Sequence, residues 1–300
     1  MSYHQPVMLR ECIEGLAIDP SGIYVDVTFG GGGHSNAILE KLTSGKLVAF
    51  DQDADAQEQA KKIHHPGFLF VPANFRYLKK FLKLNGIPMV NGILGDLGIS
   101  SWQIDSPGRG FSTRFDGPLD MRMNQAGDQS AADVVNNYTE AQLHKVLGIY
   151  GEIKNARTLA GLLVQQRGVK KFTRIRELTD VLKAVAPRGK EFKYFAQVFQ
   201  ALRIEVNEEM QALESFLLQC GEVMAKDGRL VVMSYHSLED RLVKNYMQTG
   251  KMSGEVEKDF FGNPIKPFQA VTRKPVEAGE EEIKNNNRAR SAKLRIARKL

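Results

Sequence analysis

At 300 residues the chain has room for one large domain or two modest ones. Its 42% hydrophobic and 25% charged content is that of a globular protein and excludes disordered, collagen-like and mucin-like chains. The net charge of +6 is uneven: positions 154–203 hold 12 Lys or Arg against three acids (Glu177, Asp180, Glu191), which leaves the other 250 residues at −3 and points to a polyanion-binding face or a solvated helix surface.

Ile23-Tyr24-Val25-Asp26-Val27 is predicted as a first strand, followed by a glycine run and a helix over 35–42. Leu47-Val48-Ala49-Phe50-Asp51 is a second strand, with a helix over 54–63 behind it. Phe68-Leu69-Phe70-Val71 is a third, with a helix over 78–84, and Gly92-Ile93-Leu94-Gly95-Asp96 is a fourth. Strands that alternate with helices form βαβ units and a parallel sheet, and continuous apolar runs suit strands covered on both faces.

After Asp96 the pattern breaks. Residues 98–128 are rich in Gly, Ser, Pro and Asp, and 131–203 read as helical, with a capping box from Thr139 to Gln142. Leu159, Leu162 and Leu163 recur at helical spacing, as do Leu178, Val181, Leu182 and Val185. The α/β pattern resumes with a helix over 207–225, a turn at Asp227-Gly228, a strand Arg229–Met233 and a helix opened by Ser237-Leu238-Glu239-Asp240. Phe268–Arg273 and Ser291–Arg298 are expected as antiparallel strands at the sheet edge. The expected division is an α/β domain over 1–104 and 201–300, interrupted by a helical insertion over 105–200 that carries the basic block.

No window approaches the ~18 apolar residues of a membrane span. The start Met1–Pro6 lacks the basic and apolar regions of a signal peptide. Cys12 and Cys220 make no disulfide framework and suit a reducing compartment. A soluble cytoplasmic protein is expected. No His/Cys cluster has zinc spacing, and nothing in the sequence requires a metal.

The sharpest feature is Asp26-Val27-Thr28-Phe29-Gly30-Gly31-Gly32-Gly33-His34, between the first strand and the first helix after it. Glycines there let backbone approach a ligand closely, at the place where doubly wound folds bind nucleotides. Asp51 ends the second strand and is placed to accept hydrogen bonds from ribose hydroxyls. A phosphate-cradling loop needs GxxxxGK[ST], which is absent, and a dinucleotide fingerprint needs a third glycine where Ser35 or Asn36 stands. S-adenosylmethionine carries no pyrophosphate and suits an acid, a glycine loop and a second acid. Phe75 follows the third strand and is placed either on an adenine face or in the core. Asp96 ends the fourth strand, where it either bonds cofactor or substrate amine or caps the backbone.

With these residues in place the chain resembles the RsmH (MraW) family of S-adenosylmethionine-dependent methyltransferases, nearly end to end. The resemblance rests on Thr28-Phe29-Gly30 with Gly32-Gly33-His34, Asp96-Leu97-Gly98-Ile99-Ser100-Ser101, Arg109-Gly110-Phe111-Ser112 and Asp116-Gly117-Pro118-Leu119-Asp120-Met121-Arg122-Met123. It continues through Phe199–Ile204, His236-Ser237-Leu238-Glu239-Asp240-Arg241 and Asn287–Ser291. It implies a class I methyltransferase fold, Rossmann-like and mostly parallel with an antiparallel edge, plus an inserted helical domain. It implies N4-methylation of a cytosine in the decoding centre of 16S rRNA, with the small ribosomal subunit as partner, and the family includes homodimers. Carried over by matching positions, the cofactor contacts are Gly32, Gly33, His34, Asp51, Phe75, Asp96 and Gln103; His34 and Gln103 rest on the resemblance alone. The chain departs from common family residues at Gly31, Gly95, Trp102 and Thr113.

A cytosine amine is a poor nucleophile because its lone pair is delocalised into the ring, so an acceptor beside it is required. Asp96, Ser100, Ser101 and His236 are the candidates; His236 reads equally as a hydrogen-bonded structural histidine. Trp102, Arg109, Phe111 and Tyr235 are candidates to stack on an unstacked base or to pack a loop. Lys170, Lys171 and Arg174 are expected on the RNA face. The basic tail Arg288, Arg290, Lys293, Arg295, Arg298 and Lys299 reads as an edge strand with an RNA-facing side. Two other readings stay open: a non-catalytic RNA-binding or assembly factor with a nucleotide pocket, and a nicotinamide-dependent oxidoreductase.

Overall fold

The computed structural model describes residues 6–300, which divide into two compact units. One combines the chain up to Gly98 with Met210–Leu300; the other is Ile99–Glu209. The expected insertion began at 105 and ended at 200; the compact unit takes in the Ser100 loop before it and all of the last helix after it. Among the described residues, no helix is long and apolar enough to cross a membrane.

The first unit opens with α1 (Leu9–Leu16) and continues through β1 (Ile23–Asp26), α2 (Gly33–Leu39), β2 (Lys46–Phe50), α3 (Ala54–Ala60), β3 (Phe68–Val71), α4 (Leu78–Leu84) and β4 (Val90–Asp96). The second unit holds α5 (Ser101–Asp105), α6 (Ala131–Asn137), α7 (Glu140–Gly151), α8 (Ala156–Val169), α9 (Ile175–Val185) and α10 (Glu191–Val206). The chain goes on with α11 (Glu209–Val223), β5 (Met224–Ser234), α12 (Ser237–Thr249), β6 (Phe268–Ala270), α13 (Glu280–Asn285) and β7 (Lys293–Lys299).

The seven strands form one sheet in the order β3-β2-β1-β4-β5-β7-β6. β1 to β5 are parallel, and β7 runs antiparallel between β5 and β6. This is the mostly parallel, Rossmann-like sheet with an antiparallel edge that was expected. Order reverses between β1 and β4, since the chain first winds outward through β2 and β3 and then returns to the other side. That reversal opens a crevice at the carboxyl ends of the strands, where open α/β sheets take their ligands.

Apolar side chains cover both faces. One layer joins Val25, Val48, Phe50, Ile93, Phe216, Leu217 and Val232, and the opposite layer joins Cys12, Leu16, Tyr24, Leu47, Leu94, Val231 and Met233. Alternation along β1 and β4 sends successive residues to opposite layers, as the pleat requires. Gly92 is needed in β4 because a Cβ there would lie 2.9 Å from the Tyr24 ring. The basic tail departs from expectation. β7 is an internal strand, and its cations serve the fold: Arg295 forks onto Asp240 at 2.6 and 3.0 Å, and Arg298 reaches Asp227 at 2.6 Å and Gln269 at 2.8 Å.

The helical unit has its own core, built from Leu143, Leu147, Leu159, Leu163, Leu178, Leu182, Val198 and Leu202. The capping box at the start of α7 is formed as its spacing predicts, with Thr139 Oγ1 accepting the Gln142 N–H at 3.3 Å and Gln142 Oε1 accepting the Thr139 N–H at 2.8 Å. Thr139→Ala is expected to destabilise the protein by about 1 kcal/mol, read as a shift in the urea midpoint at constant slope.

Candidate functional site

The parallel register places three acids at the same edge of three neighbouring strands. Asp26 ends β1, Asp51 follows the last residue of β2 and Asp96 ends β4. Between β1 and α2 the chain runs through Gly30 at φ +52° and Gly32 at φ +80°, conformations that a side chain resists. Gly32 is doubly constrained, because a Cβ there would sit 2.9 Å from Phe29. Gly33 is held by another contact: a Cβ would fall 2.2 Å from Pro6, so the glycine admits the N-terminal segment against the start of α2.

Asp51 is fixed by backbone donors on both oxygens. Its Oδ2 accepts the Gly30 N–H at 2.8 Å and its Oδ1 accepts the Asp53 N–H at 2.9 Å. Each oxygen keeps a further lone pair, and the spacing of a carboxylate's two oxygens suits a vicinal diol. Burial pushes its pKa up to about 6, against the lowering effect of the Asp53 and Gly30 amides.

Asp26 is fully buried beneath the loop and accepts Ser35 Oγ–H at 2.7 Å and the Thr28 N–H at 3.0 Å. Thr28 ties the two sides of the crevice together, since its Oγ1 accepts the Asp96 N–H at 2.7 Å. Asp96 keeps 24% of its side chain open to solvent. Its Oδ1 accepts the Tyr235 O–H at 2.7 Å, and its Oδ2 lies 3.9 Å from His34 Nδ1. Burial pushes Asp96 up to about 6; His34 and the Tyr235 bond pull the other way. The Tyr235 hydroxyl is pushed far upward by burial and by Asp96, so it remains a donor. His34 itself is buried at the first turn of α2 and donates through Nε2 to the Val7 carbonyl at 3.1 Å.

Phe75 opens a short 3-10 turn after β3. Its ring meets Phe216 edge-on at 5.4 Å and is only partly buried, so packing and an open face coexist. In the helical unit, Ser100 and Gln103 form a capping box: Ser100 Oγ accepts the Gln103 N–H at 3.2 Å and Gln103 Oε1 accepts the Ser100 N–H at 3.0 Å. The Ser100 hydroxyl is thus engaged with backbone, and Ser101 is the first residue of α5. His236 caps α12 through Nδ1, which accepts the Glu239 N–H at 3.4 Å, and its Nε2 faces Glu239 Oε1 at 3.2 Å. The geometry gives His236 a structural task.

Two stacking candidates are corrected. Arg109 is buried and donates from one guanidinium nitrogen to the carbonyls of Arg122 and Met123, both at 3.0 Å. Phe111 is buried in the core of the helical unit. Trp102 is 56% exposed. Tyr235 has the role at Asp96 that sequence reasoning missed; 139 residues separate the two, and no local pattern links them.

The site fits a cationic nucleoside. The carboxylates at three adjacent strand ends attract a sulfonium or ammonium and repel a pyrophosphate, which argues against the nicotinamide reading. Asp51 suits the ribose, and the half-open ring of Phe75 suits a base face.

Comparison with known proteins agrees with this chemistry. Residues 1–300 match a family model described as the MraW methylase family. The chain is 61% identical over 295 residues to the ribosomal RNA small subunit methyltransferase H of Cytophaga hutchinsonii, covering 98% of this chain and 99% of that one. It is 54% identical over 300 residues to the protein of the same description from Parabacteroides distasonis, covering 99% and 98%. Among solved structures, an rRNA methylase from Streptococcus thermophilus aligns over 100% of this chain and 99% of its own, with 13% identity and a TM-score of 0.41.

Proposed function

The chain belongs to the MraW methylase family, and on that premise we propose that it methylates N4 of a cytosine in the decoding centre of 16S rRNA. At the coarser level it is an S-adenosylmethionine-dependent methyltransferase of the MraW family, and its curated relatives are described as ribosomal RNA small subunit methyltransferase H. The family resemblance supplies the cytosine-N4 target, and what supports amine methylation here is Asp96, an anchored but solvent-reachable carboxylate at the switch point of the sheet.

S-adenosylmethionine supplies a methyl group already activated by its positive sulfur. Asp51 would hold the ribose, the Gly30–Gly33 backbone would border the rest of the cofactor, and the half-open Phe75 ring would take the adenine face. The residues' main contribution is then alignment. Asp96 is placed to accept a hydrogen bond from the cytosine amine, which would draw its lone pair out of conjugation, and to take the amine proton that the transfer releases. A carboxyl near pH 6 is ionised at neutrality and stronger as a base than an ordinary aspartate. Tyr235 and Thr28 keep it oriented. Ser100 and His236 are occupied by helix caps and are poorer acceptors. The target base must leave its stack, and looped or single-stranded RNA makes that inexpensive.

The test is methyl transfer from labelled cofactor to 16S rRNA, offered free and within small subunits, with the modified nucleotide mapped by mass spectrometry. Label on a cytosine N4 is expected. No label on either substrate would instead favour a non-catalytic assembly factor that retains the pocket.

A further inference from the structure

The basic block of the helical unit is not a uniform surface. Lys170 pairs with Glu177 at 2.6 Å, and Arg174 pairs with Asp116 at 3.0 Å. Arg167 turns inward and donates to the carbonyls of Val135 and Tyr138 at 2.8 and 2.6 Å. The cations expected on an RNA face at the C-terminal end of α8 are therefore largely neutralised within the unit, apart from exposed Lys171.

Five further unpaired cations gather at the other end of α8, about 20 Å away along a helix of this length. Arg188, Lys190 and Lys193 are exposed on the turn from α9 into α10. Asn155 stitches that turn to the N-terminus of α8, donating to the Val185 carbonyl at 3.1 Å and accepting the Tyr194 O–H at 3.0 Å. Exposed Lys154 and Arg157 flank Asn155 and so join the group. None of these five cations has an ion-pair partner among the described residues. The acid on the turn, Glu191, is folded back onto the Gly189 N–H at 3.0 Å.

In the middle of this cluster Phe192 is 86% exposed. Its neighbours Tyr194, Phe195, Val198 and Phe199 fill the core, and Phe192 adds nothing to it. A phenyl ring left in water contributes no burial, so the fold gains nothing from an aromatic there. An exposed ring among unpaired cations is what a flexible polyanion with π-faces requires: the ring takes a base and the cations take the phosphates.

We propose that the α9–α10 turn is a docking site for single-stranded rRNA, with Phe192 stacking on one base and Arg188, Lys190, Lys193, Lys154 and Arg157 meeting the flanking phosphates. The inference rests on the rRNA substrate proposed above and names a binding site for it remote in sequence from the methyl-transfer residues. Duplex RNA is disfavoured as the occupant because its bases are stacked and its deep groove closed to side chains.

The experiment uses the full chain, a labelled single-stranded 16S rRNA fragment read by fluorescence anisotropy across a salt series, and S-adenosylhomocysteine calorimetry on the same samples. Phe192→Ala is expected to weaken RNA binding about tenfold and leave cofactor affinity unchanged, and Phe192→Trp is expected to restore it with fluorescence quenched on binding. Replacing both Lys190 and Lys193 with alanine is expected to lower the slope of log affinity against log salt by about 1.4. Wild-type affinity and slope in all three variants would overturn the docking site while leaving the methyl-transfer reading intact. A wild-type protein that neither binds nor labels rRNA would overturn both. Lost self-association with RNA binding unchanged in Phe192→Ala would assign the ring to a protein contact and also overturn the site.

Discussion

Replacing Asp96 with asparagine is expected to slow methyl transfer by two to four orders of magnitude, the usual worth of a positioned proton acceptor. Asparagine preserves size and can still accept the Tyr235 O–H bond, so the loss isolates the missing charge and basicity. The pH profile adds a second signature. Because burial holds Asp96 near 6, the wild-type single-turnover rate is expected to rise about tenfold per unit below pH 6 and to level off above it. The variant loses that rise. A variant with wild-type rate and profile would exclude Asp96 as the acceptor. Stability moves in the opposite sense. Asp96 and Asp51 both carry folded-state pKa values of about 6 against 3.8 as the ordinary value. The folded state thus binds their protons more tightly than the unfolded chain does. Their contribution is most favourable below pH ~4 and is lost as pH rises toward 6. Activity therefore appears over the window in which the site gives up stability.

Asp51→Ala is expected to weaken S-adenosylhomocysteine binding by about 10- to 100-fold, the worth of hydrogen bonds to a charged group. The change also leaves the Gly30 and Asp53 N–H groups without the acceptor that ties the glycine loop to the end of β2. Asp51→Asn keeps one carbonyl acceptor and is expected to fall between the two. Titration calorimetry reads both. Unchanged affinity in the alanine variant would remove Asp51 from the site.

The sheet was legible because its strands are short β-branched runs and its helices carry capping residues at fixed offsets. Thr139 with Gln142 and the glycines after Asp26 announce themselves locally. The placement of Asp26, Asp51 and Asp96 was legible as well, since each closes a strand and parallel strands end at one edge. Pairings between distant residues were not. The Arg295 fork onto Asp240 spans 55 residues and the Arg174 contact with Asp116 spans 58. Each turns an apparently free cation into an internal tie, which the spacing of the basic tail and of the Lys170–Arg174 segment does not reveal. β7 was misplaced at the edge for a related reason: strand order depends on pairing partners, which composition does not encode. Phe111 follows the same rule, because it is buried in a core whose helices lie far along the chain, while Arg109 is tied into its own loop through the carbonyls of Arg122 and Met123.

The insertion of the helical unit between β4 and β5 has a consequence for biosynthesis. Gly92 pairs with Arg229 and Asp96 with Met233, so the partner of the central β4 emerges from the ribosome well over a hundred residues later. At ~5–20 residues per second, the free edge of β4 in the nascent polypeptide waits on the order of 10 s for its neighbour. During that interval the helical unit, which has its own core, can fold first and shorten the effective loop that β5 must close. Variants that destabilise the helices are thus expected to lower the yield of native protein through aggregation of the waiting strand, even where they leave the methyl-transfer pocket untouched.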